Sequence, residues 1–244
     1  MKIWRKYLNM RMNWNDTTIK SFVSASEYTG FHEELANQIR PYIKNSKTLC
    51  DIGCGLGLID MHLSKDLDYI TCVDINENAI NYLEKSIKEK NIKNIKCIVK
   101  DFKEINSKFD IILISFFAYE DLKYFSKSCD KLIAVVNDKT TTHIPVSKKK
   151  MEVINQHSSK NLKKLLDEKK INYEMIPLSM EFGQTFTDDE DIARYAKSYD
   201  EDKEYESIYN HIKNKVVKGD KVRYYLPYEK NISIFIIDFN KLSL

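Results

Sequence analysis

Between positions 48 and 136, the hydrophobic positions of the chain alternate between two periodicities. Short and nearly continuous apolar runs, typical of buried parallel strands, are separated by segments in which apolar residues recur every three or four positions, as on one face of a helix. The strands are predicted at Thr48–Ile52, Tyr69–Asp74, Ile95–Lys100, Phe109–Phe116 and Lys131–Val136. Helices between them are predicted at Leu58–Lys65, Glu77–Lys90 and Tyr119–Ser126. This alternation predicts an α/β fold with a doubly wound, mostly parallel sheet.

The pattern changes after the fifth predicted strand. A loop is predicted over Asn137–Val146, a helix at Ser159–Lys170, and two further strands at Ile171–Met180 and Ile232–Phe239. Roughly fifty residues separate these last two strands, which is far longer than an ordinary connection. Two helical stretches are predicted within the gap, near Asp188–Ser198 and Glu201–Val217. We therefore expect residues 183–230 to form a helical insertion that acts as a lid.

The segment that precedes the first strand is predicted to be a helical arm over residues 1–45. A short helix ending at Val23 and a second helix at Phe31–Tyr42, interrupted near Pro41, are expected there. The α/β domain itself is then expected to occupy residues 46–244.

A glycine-rich turn follows the first predicted strand. The sequence Leu49–Gly57 contains Asp51, Gly53, Gly55 and Gly57 at alternate positions. Glycine has no Cβ, so the backbone can turn tightly there and approach a ligand closely. The acid at the entrance suits a ligand that carries an ammonium group, and it argues against a pyrophosphate, which the G-x-G-x-x-G turn of dinucleotide sites binds.

Two further acids end the next predicted strands. Asp74 ends the second strand, near the spacing at which a carboxylate meets ribose hydroxyls in nucleotide-binding α/β folds, and Asp101 follows the third. Over about residues 46–137 this ordered set resembles the class I S-adenosylmethionine-dependent methyltransferases. The resemblance implies a seven-stranded sheet with an antiparallel final strand, S-adenosylmethionine as cofactor and S-adenosylhomocysteine as product.

The resemblance also implies a role for each site residue. The acid and the three glycines of the turn would line the methionine half of the cofactor, Asp74 would bind the ribose, and Ile75 would lie beside the adenine. Asp101 would accept a hydrogen bond from the adenine amine, and its neighbour Phe102 would pack on the adenine ring. The remaining expected contacts are Ser115, where the backbone faces the reacting centre, and Tyr28 in the arm. Caps of helices or turns remain the alternative role for both acids, and core packing the alternative for Phe102.

The chemistry expected of such a site is modest, because the sulfonium already activates the methyl group and the protein mainly aligns the acceptor and excludes water. An obligatory base is therefore not required. His143, in the loop after the fifth strand, is the candidate base, and a surface histidine is the alternative. The fourth strand ends in Ile114-Ser115-Phe116-Phe117 rather than in Asn/Asp-Pro-Pro-aromatic or Pro-Cys, which argues against adenine-N6, glutamine or cytosine-C5 methylation.

Composition limits the partners and the compartment. The 244 residues carry a net charge of only +3, without the basic excess expected of a nucleic-acid-binding protein. Five cysteines without zinc-type spacing, no signal-peptide core and no long apolar run indicate a cytoplasmic protein without a metal site or a membrane partner. Methyl transfer to a small molecule is the expected function. RNA or protein methylation and a non-catalytic S-adenosylmethionine-binding role remain alternatives, and the oligomeric state is left open.

Overall fold

A seven-stranded sheet forms the centre of the protein. The computed structural model describes residues 12–116, 120–138, 142, 144–199 and 204–241. The strands of the sheet are β1 Thr48–Ile52, β2 Tyr69–Asp74, β3 Ile95–Val99, β4 Phe109–Ser115, β5 Cys129–Asn137, β6 Glu174–Glu181 and β9 Glu229–Asp238. Their order is β3-β2-β1-β4-β5-β9-β6, and β9 runs antiparallel to both of its neighbours. The predicted doubly wound sheet with an antiparallel final strand is confirmed.

Helices cover both faces of this sheet. They are α1 Asp16–Thr29, α2 Phe31–Ile43, α3 Leu58–Leu63, α4 Glu77–Glu89, α5 Leu122–Ser128, α6 Lys148–Gln156, α7 Ser159–Glu168, α8 Asp189–Tyr199 and α9 Tyr205–Lys215. Successive strand residues point to opposite faces. Leu49 of β1 accordingly packs in the core that α2, α3 and α4 cover, whereas its neighbour Cys50 packs in the core under α5 and α7. The near-continuous apolar runs of the central strands follow from this two-sided burial.

Several element boundaries differ from the prediction for local reasons. α1 extends to Thr29 because Asn15 accepts the N–H of Thr18 at its start and Gly30, at φ +68°, ends it. α2 continues to Ile43, so the predicted interruption is wrong: Pro41 lies in the last turn and does not divide the helix. The predicted strand at Ile171 begins only at Glu174, because the N–H of Ile171 closes the end of α7 on the carbonyl of Leu166.

The segment 183–230 folds around a small core of its own. It contains a two-stranded antiparallel pair, β7 Gln184–Phe186 and β8 Tyr224–Leu226, which the sequence pattern did not predict. The two expected helices are present as α8 and α9, within a few residues of their predicted bounds. Side chains from both helices and both strands of the pair form the core: Phe186, Ile192, Ala196, Ile208, Ile212 and Leu226. α6, which precedes this segment, was also not predicted; Ser147 caps it. Within the described ranges, no helix is long and apolar enough to cross a membrane.

Candidate active site

A cavity of about 590 Å³ opens at the carboxyl ends of the parallel strands. The glycine turn after β1 and the ends of β2, β3 and β4 form its floor. Side chains from α1, α2, α6 and the 183–230 segment complete its walls. Ligands of open α/β sheets bind at this edge, so the cavity is the candidate active site.

The glycine turn adopts the backbone that its composition predicts. Gly53, Gly55 and Gly57 have φ values of +73°, +54° and +62°, which side-chain-bearing residues rarely adopt. The N–H of Gly53 and that of Cys54 both donate to the carbonyl of Val73, which fixes the turn to the end of β2. The turn therefore presents backbone rather than side chains to the cavity.

Two carboxyl groups lie buried together under this turn. Asp51 lies in the floor of the cavity, and the side chain of Asp60 in α3 contacts the side chain of Asp51. The two residues are 3% and 0% exposed. Among the described residues, Oδ1 of Asp51 is buried without a well-formed hydrogen bond, and the carboxyl of Asp60 lies against the side chains of Asp51 and Cys72. Burial raises the pKa of both, and the negative charge of Asp60 raises that of Asp51 further. The pair thus holds a proton more tightly than free carboxyls do, and Asp51 is the member of the pair that lines the cavity.

Asp74 lies at the end of β2, as predicted, and lines the cavity. Its Oδ2 accepts the N–H of Gly55 at 2.9 Å, and its Oδ1 accepts the N–H of Asn76 at 2.8 Å. Ile75, which follows it, is 43% exposed at the cavity, unusual for a large apolar side chain. The carboxylate therefore organises the turn while keeping lone pairs free to accept from a ligand.

The end of β3 places two more predicted residues at the cavity. Asp101 accepts the N–H of Lys103 at 3.0 Å and so caps a short 3₁₀ turn, which is the structural role that the sequence left open. Phe102 is buried and packs on Phe125 with a centroid distance of 6.2 Å, while still lining the cavity. Ser115, at the end of β4, has a buried hydroxyl that finds no hydrogen-bond partner among the described residues. Asp101, Phe102 and Ser115 thus combine a structural contact with access to the cavity.

Among the described site residues that the sequence predicted, Tyr28 lies away from the cavity. Tyr28 is turned toward the 183–230 segment: its ring lies 4.6 Å from that of Tyr225, and its hydroxyl accepts the N–H of Asp220 at 3.4 Å. The side chain of Tyr28 is not among those that line the cavity, so the proposed site does not include it. His143 lies outside the described residues, as do residues 117–119.

The roof of the cavity was not predicted from the sequence. Trp14, just before α1, is buried against the glycine turn, and a Cβ built on Gly55 would lie 3.1 Å from its ring. Phe22 of α1 packs edge-on against Trp14, with a centroid distance of 5.3 Å. The tryptophan in an otherwise polar stretch was the available signal, since a large apolar ring there needs a partner to cover it.

A histidine of α2 also faces the cavity without having been predicted as a site residue. His32 is 7% exposed, and its Nδ1 shares a hydrogen bond of 2.6 Å with the hydroxyl of Ser26. Burial, followed by the positive charges of Lys230 and His62, lowers the pKa of His32 to about 3. His32 is therefore a neutral imidazole near pH 7, able to donate or accept a hydrogen bond but a weak base.

Lys230 completes the far wall of the cavity, at the start of β9. Its Nζ lies 3.9 Å from the ring centroid of Phe116, 5.3 Å from that of Phe182 and 5.6 Å from that of Phe31. Burial lowers the pKa of Lys230 to about 8. Phe116 holds a positive φ of +60°, a strained backbone state for an aromatic residue. The cavity therefore has an acidic side at β1 to β3 and an aromatic, cationic side at β4 and β9.

Comparison with known proteins finds similarity to methyltransferases in the part of the chain that contains the glycine turn. Residues 49–139 match the family model of a methyltransferase domain. A ribosomal RNA small subunit methyltransferase A from Mesomycoplasma hyopneumoniae (strain 232) is 29% identical over 108 residues, which are 42% of this chain and 41% of that protein. A tRNA (guanine(37)-N(1))-methyltransferase from Pyrococcus abyssi is 29% identical over 100 residues, which are 41% of this chain and 29% of that protein. Both matches thus span less than half of the curated relatives.

The fold similarity extends over more of the chain. A crystal structure of a SAM-dependent methyltransferase from Aquifex aeolicus superposes with a TM-score of 0.54, covering 93% of this chain and all of that one at 14% identity. At that identity the match establishes the fold. The family model identifies residues 49–139 as a methyltransferase domain, in agreement with the class that the glycine turn and the strand-end acids predicted.

Proposed function

We propose that the whole protein transfers the methyl group of S-adenosylmethionine to a small-molecule acceptor. The premise is that residues 49–139 form a class I methyltransferase domain whose cofactor is S-adenosylmethionine. One observation carries the proposal: the carboxyl of Asp51 lies beside the glycine turn and lines the same cavity as Asp74 and Asp101. A buried acid next to this turn suits the ammonium of an amino-acid-bearing ligand.

The other residues fit the rest of the cofactor. Asp74 has lone pairs left to accept from ribose hydroxyls, and the exposed Ile75 offers an apolar face to an adenine ring. Asp101 and Phe102 would contact the far edge of that ring. When bound, the cofactor supplies a methyl group on a positively charged sulfur, which is already activated for displacement.

The protein's own contribution is then to orient the acceptor and to exclude water. The roof of Trp14 and Phe22 closes the cavity above the glycine turn. His32, with its low pKa, is a hydrogen-bonding group rather than a proton acceptor. His32 would consequently help to align the acceptor rather than act as a general base.

The walls around the cavity support a small acceptor. Helices α1 and α2 and the 183–230 segment, which we propose is a lid, surround the space beyond the strand ends, so that an extended polymer would have to insert a single unit. The net charge of +3 also offers little attraction to a phosphate backbone.

RNA methylation is the second candidate function. It is favoured by the two curated relatives, which are both RNA methyltransferases. An RNA acceptor would place one unpaired base in the cavity, as enzymes that modify bases do.

Calorimetric titration with S-adenosylmethionine and S-adenosylhomocysteine tests the cofactor. Micromolar binding of both is expected, and absence of binding by the folded protein would contradict the proposal. Transfer of a radiolabelled methyl group would then be measured with a panel of small aromatic acids, amines and phenols, and in parallel with total RNA. Label in the small-molecule fraction supports the first function, and label confined to RNA supports the second.

A further inference from the structure

The ammonium group of Lys230 is a cation without an anionic partner. Within the part of the chain that the structure describes, it makes no hydrogen bond or ion pair, and three aromatic rings surround it instead. The acids of the cavity floor do not compensate it: Asp74 and Asp101 accept from backbone N–H groups of their own turns. An unpaired charge of this kind is costly to remove from water, and aromatic rings offset only part of that cost.

The position of Lys230 assigns it to one half of the cavity. The glycine turn, Asp74 and Asp101 follow β1, β2 and β3, whereas Lys230 begins β9. Since β4 and β5 lie between β1 and β9, and neighbouring strands are about 4.8 Å apart, the start of β9 is roughly 14 Å from the glycine turn. Lys230 reaches back only as far as Phe116 at the end of β4. The backbone of Lys230 thus lies beyond the proposed cofactor half, and its ammonium group lies over Phe116 at the end of β4.

Resting on the proposed function, we infer that Lys230 is the specificity-determining residue of the acceptor subsite. Its ammonium group binds a negatively charged oxygen of the acceptor, and the apolar or aromatic body of the acceptor packs against Phe31, Phe116 and Phe182. The rings fit a planar or apolar body, and the ammonium fits a carboxylate or another oxyanion attached to it. A bound anion would supply the partner that the protein itself does not provide. The neutral imidazole of His32 adds a second polar contact without competing for the charge.

Two probes of the same shape test this inference. 2-Naphthoate carries a carboxylate and 2-naphthamide its neutral counterpart; each is titrated calorimetrically into the protein, with and without saturating S-adenosylhomocysteine. The unsubstituted protein is expected to bind the naphthoate at least about tenfold more tightly than the amide, because a hydrogen bond to a charged group is worth that factor or more. Lys230→Met is expected to abolish the preference, and Lys230→Arg to keep it.

A matched control is available in the same cavity. Lys150 also lines it, but its Nζ already donates to the carbonyl of Tyr199 at 2.6 Å. Lys150→Met is therefore expected to retain the preference for 2-naphthoate, and a loss in both variants would overturn the inference. Melting temperatures and S-adenosylhomocysteine affinity show that each variant is folded.

The remaining outcomes separate this inference from the proposed function. Equal binding of both probes by the unsubstituted protein would overturn the inference and leave the function standing. A tenfold loss of S-adenosylhomocysteine affinity in Lys230→Met would also overturn it, because Lys230 would then bind the carboxylate of the cofactor. Failure of the unsubstituted protein to bind S-adenosylhomocysteine, together with a naphthoate preference that depends on Lys230, would contradict the proposed function alone.

Discussion

At the scale of single residues, Asp74 has two roles that mutagenesis can separate. It holds the backbone of Gly55 and Asn76, and we propose that it also accepts from the ribose of the cofactor. Asp74→Ala removes both roles, and S-adenosylhomocysteine affinity is expected to fall about 10- to 100-fold, since hydrogen bonds to a charged group are lost. Asp74→Asn keeps one acceptor oxygen and is expected to lose less.

The control for this prediction lies at the other end of the same strand. Asp68 is exposed and precedes β2, so Asp68→Ala removes a carboxylate without touching the cavity. Calorimetric titration of both variants measures the difference. Unchanged affinity in a folded Asp74→Ala variant would remove the residue from the proposed cofactor site.

The charge of Lys230 gives the acceptor subsite a pH dependence. Burial lowers the pKa of Lys230 to about 8, so the ammonium is charged below that pH and neutral above it. The affinity for 2-naphthoate is therefore expected to be constant from about pH 6 to 7.5 and to fall as the pH rises through 8, approaching tenfold per pH unit. Titrations between pH 6 and 9.5 check this, with 2-naphthamide as the reference. A pH-independent ratio of the two affinities would contradict the expected charge.

At the scale of elements, the glycine turn and α4 are predicted to depend on each other. Gly57 has φ +62°, and a Cβ built there would lie 2.5 Å from Cδ1 of Leu83 in α4. Gly57→Ala therefore combines backbone strain with overpacking, for an expected loss of about 2 to 4 kcal/mol in the free energy of unfolding. Gly30, between α1 and α2, has a similar φ of +68° with nothing within 4 Å of the built Cβ.

Comparing the two glycines separates the cost of the contact with Leu83 from the cost of backbone strain. Gly30→Ala is expected to cost only the backbone strain, about 1 to 2 kcal/mol. Urea unfolding of both variants gives the two free energies. Equal losses would show that Leu83 moves aside without cost.

The elements also show what the sequence could and could not predict. The strands β1 to β5 and the glycine turn were predictable because buried parallel strands and tight turns leave local signals, in apolar runs and in glycine spacing. β7 and β8 have three residues each and leave no such signal. Trp14, His32 and Lys230 come from separate parts of the chain, and tertiary packing alone brings them to one cavity. The proposed cofactor half was therefore predictable from local motifs, whereas the proposed acceptor half was not.

At the scale of the whole molecule, the buried carboxyl pair links stability to pH. The folded-state pKa of Asp60 is raised above its unfolded value by burial, as is that of Asp51. For an acid shifted in this direction, the stabilising contribution is complete below the unfolded pKa, near 4, and is lost as the pH rises through the folded pKa. The free energy of unfolding should therefore contain a component that decreases from about pH 4 toward neutrality.

Asp60→Asn tests this linkage, because the amide takes the place of the protonated carboxyl and can donate to Asp51 at every pH. The variant is expected to match the unsubstituted protein near pH 4 and to exceed its free energy of unfolding by at least about 1 kcal/mol at pH 8, since one pKa unit corresponds to about 1.4 kcal/mol. Urea unfolding at pH 4, 6 and 8 measures the difference, with the exposed Asp68→Asn as the control expected to show none. A difference that stays constant with pH would mean that the pair carries no shared proton. A growing difference would show that ionising the buried pair near neutral pH has a measurable cost in stability.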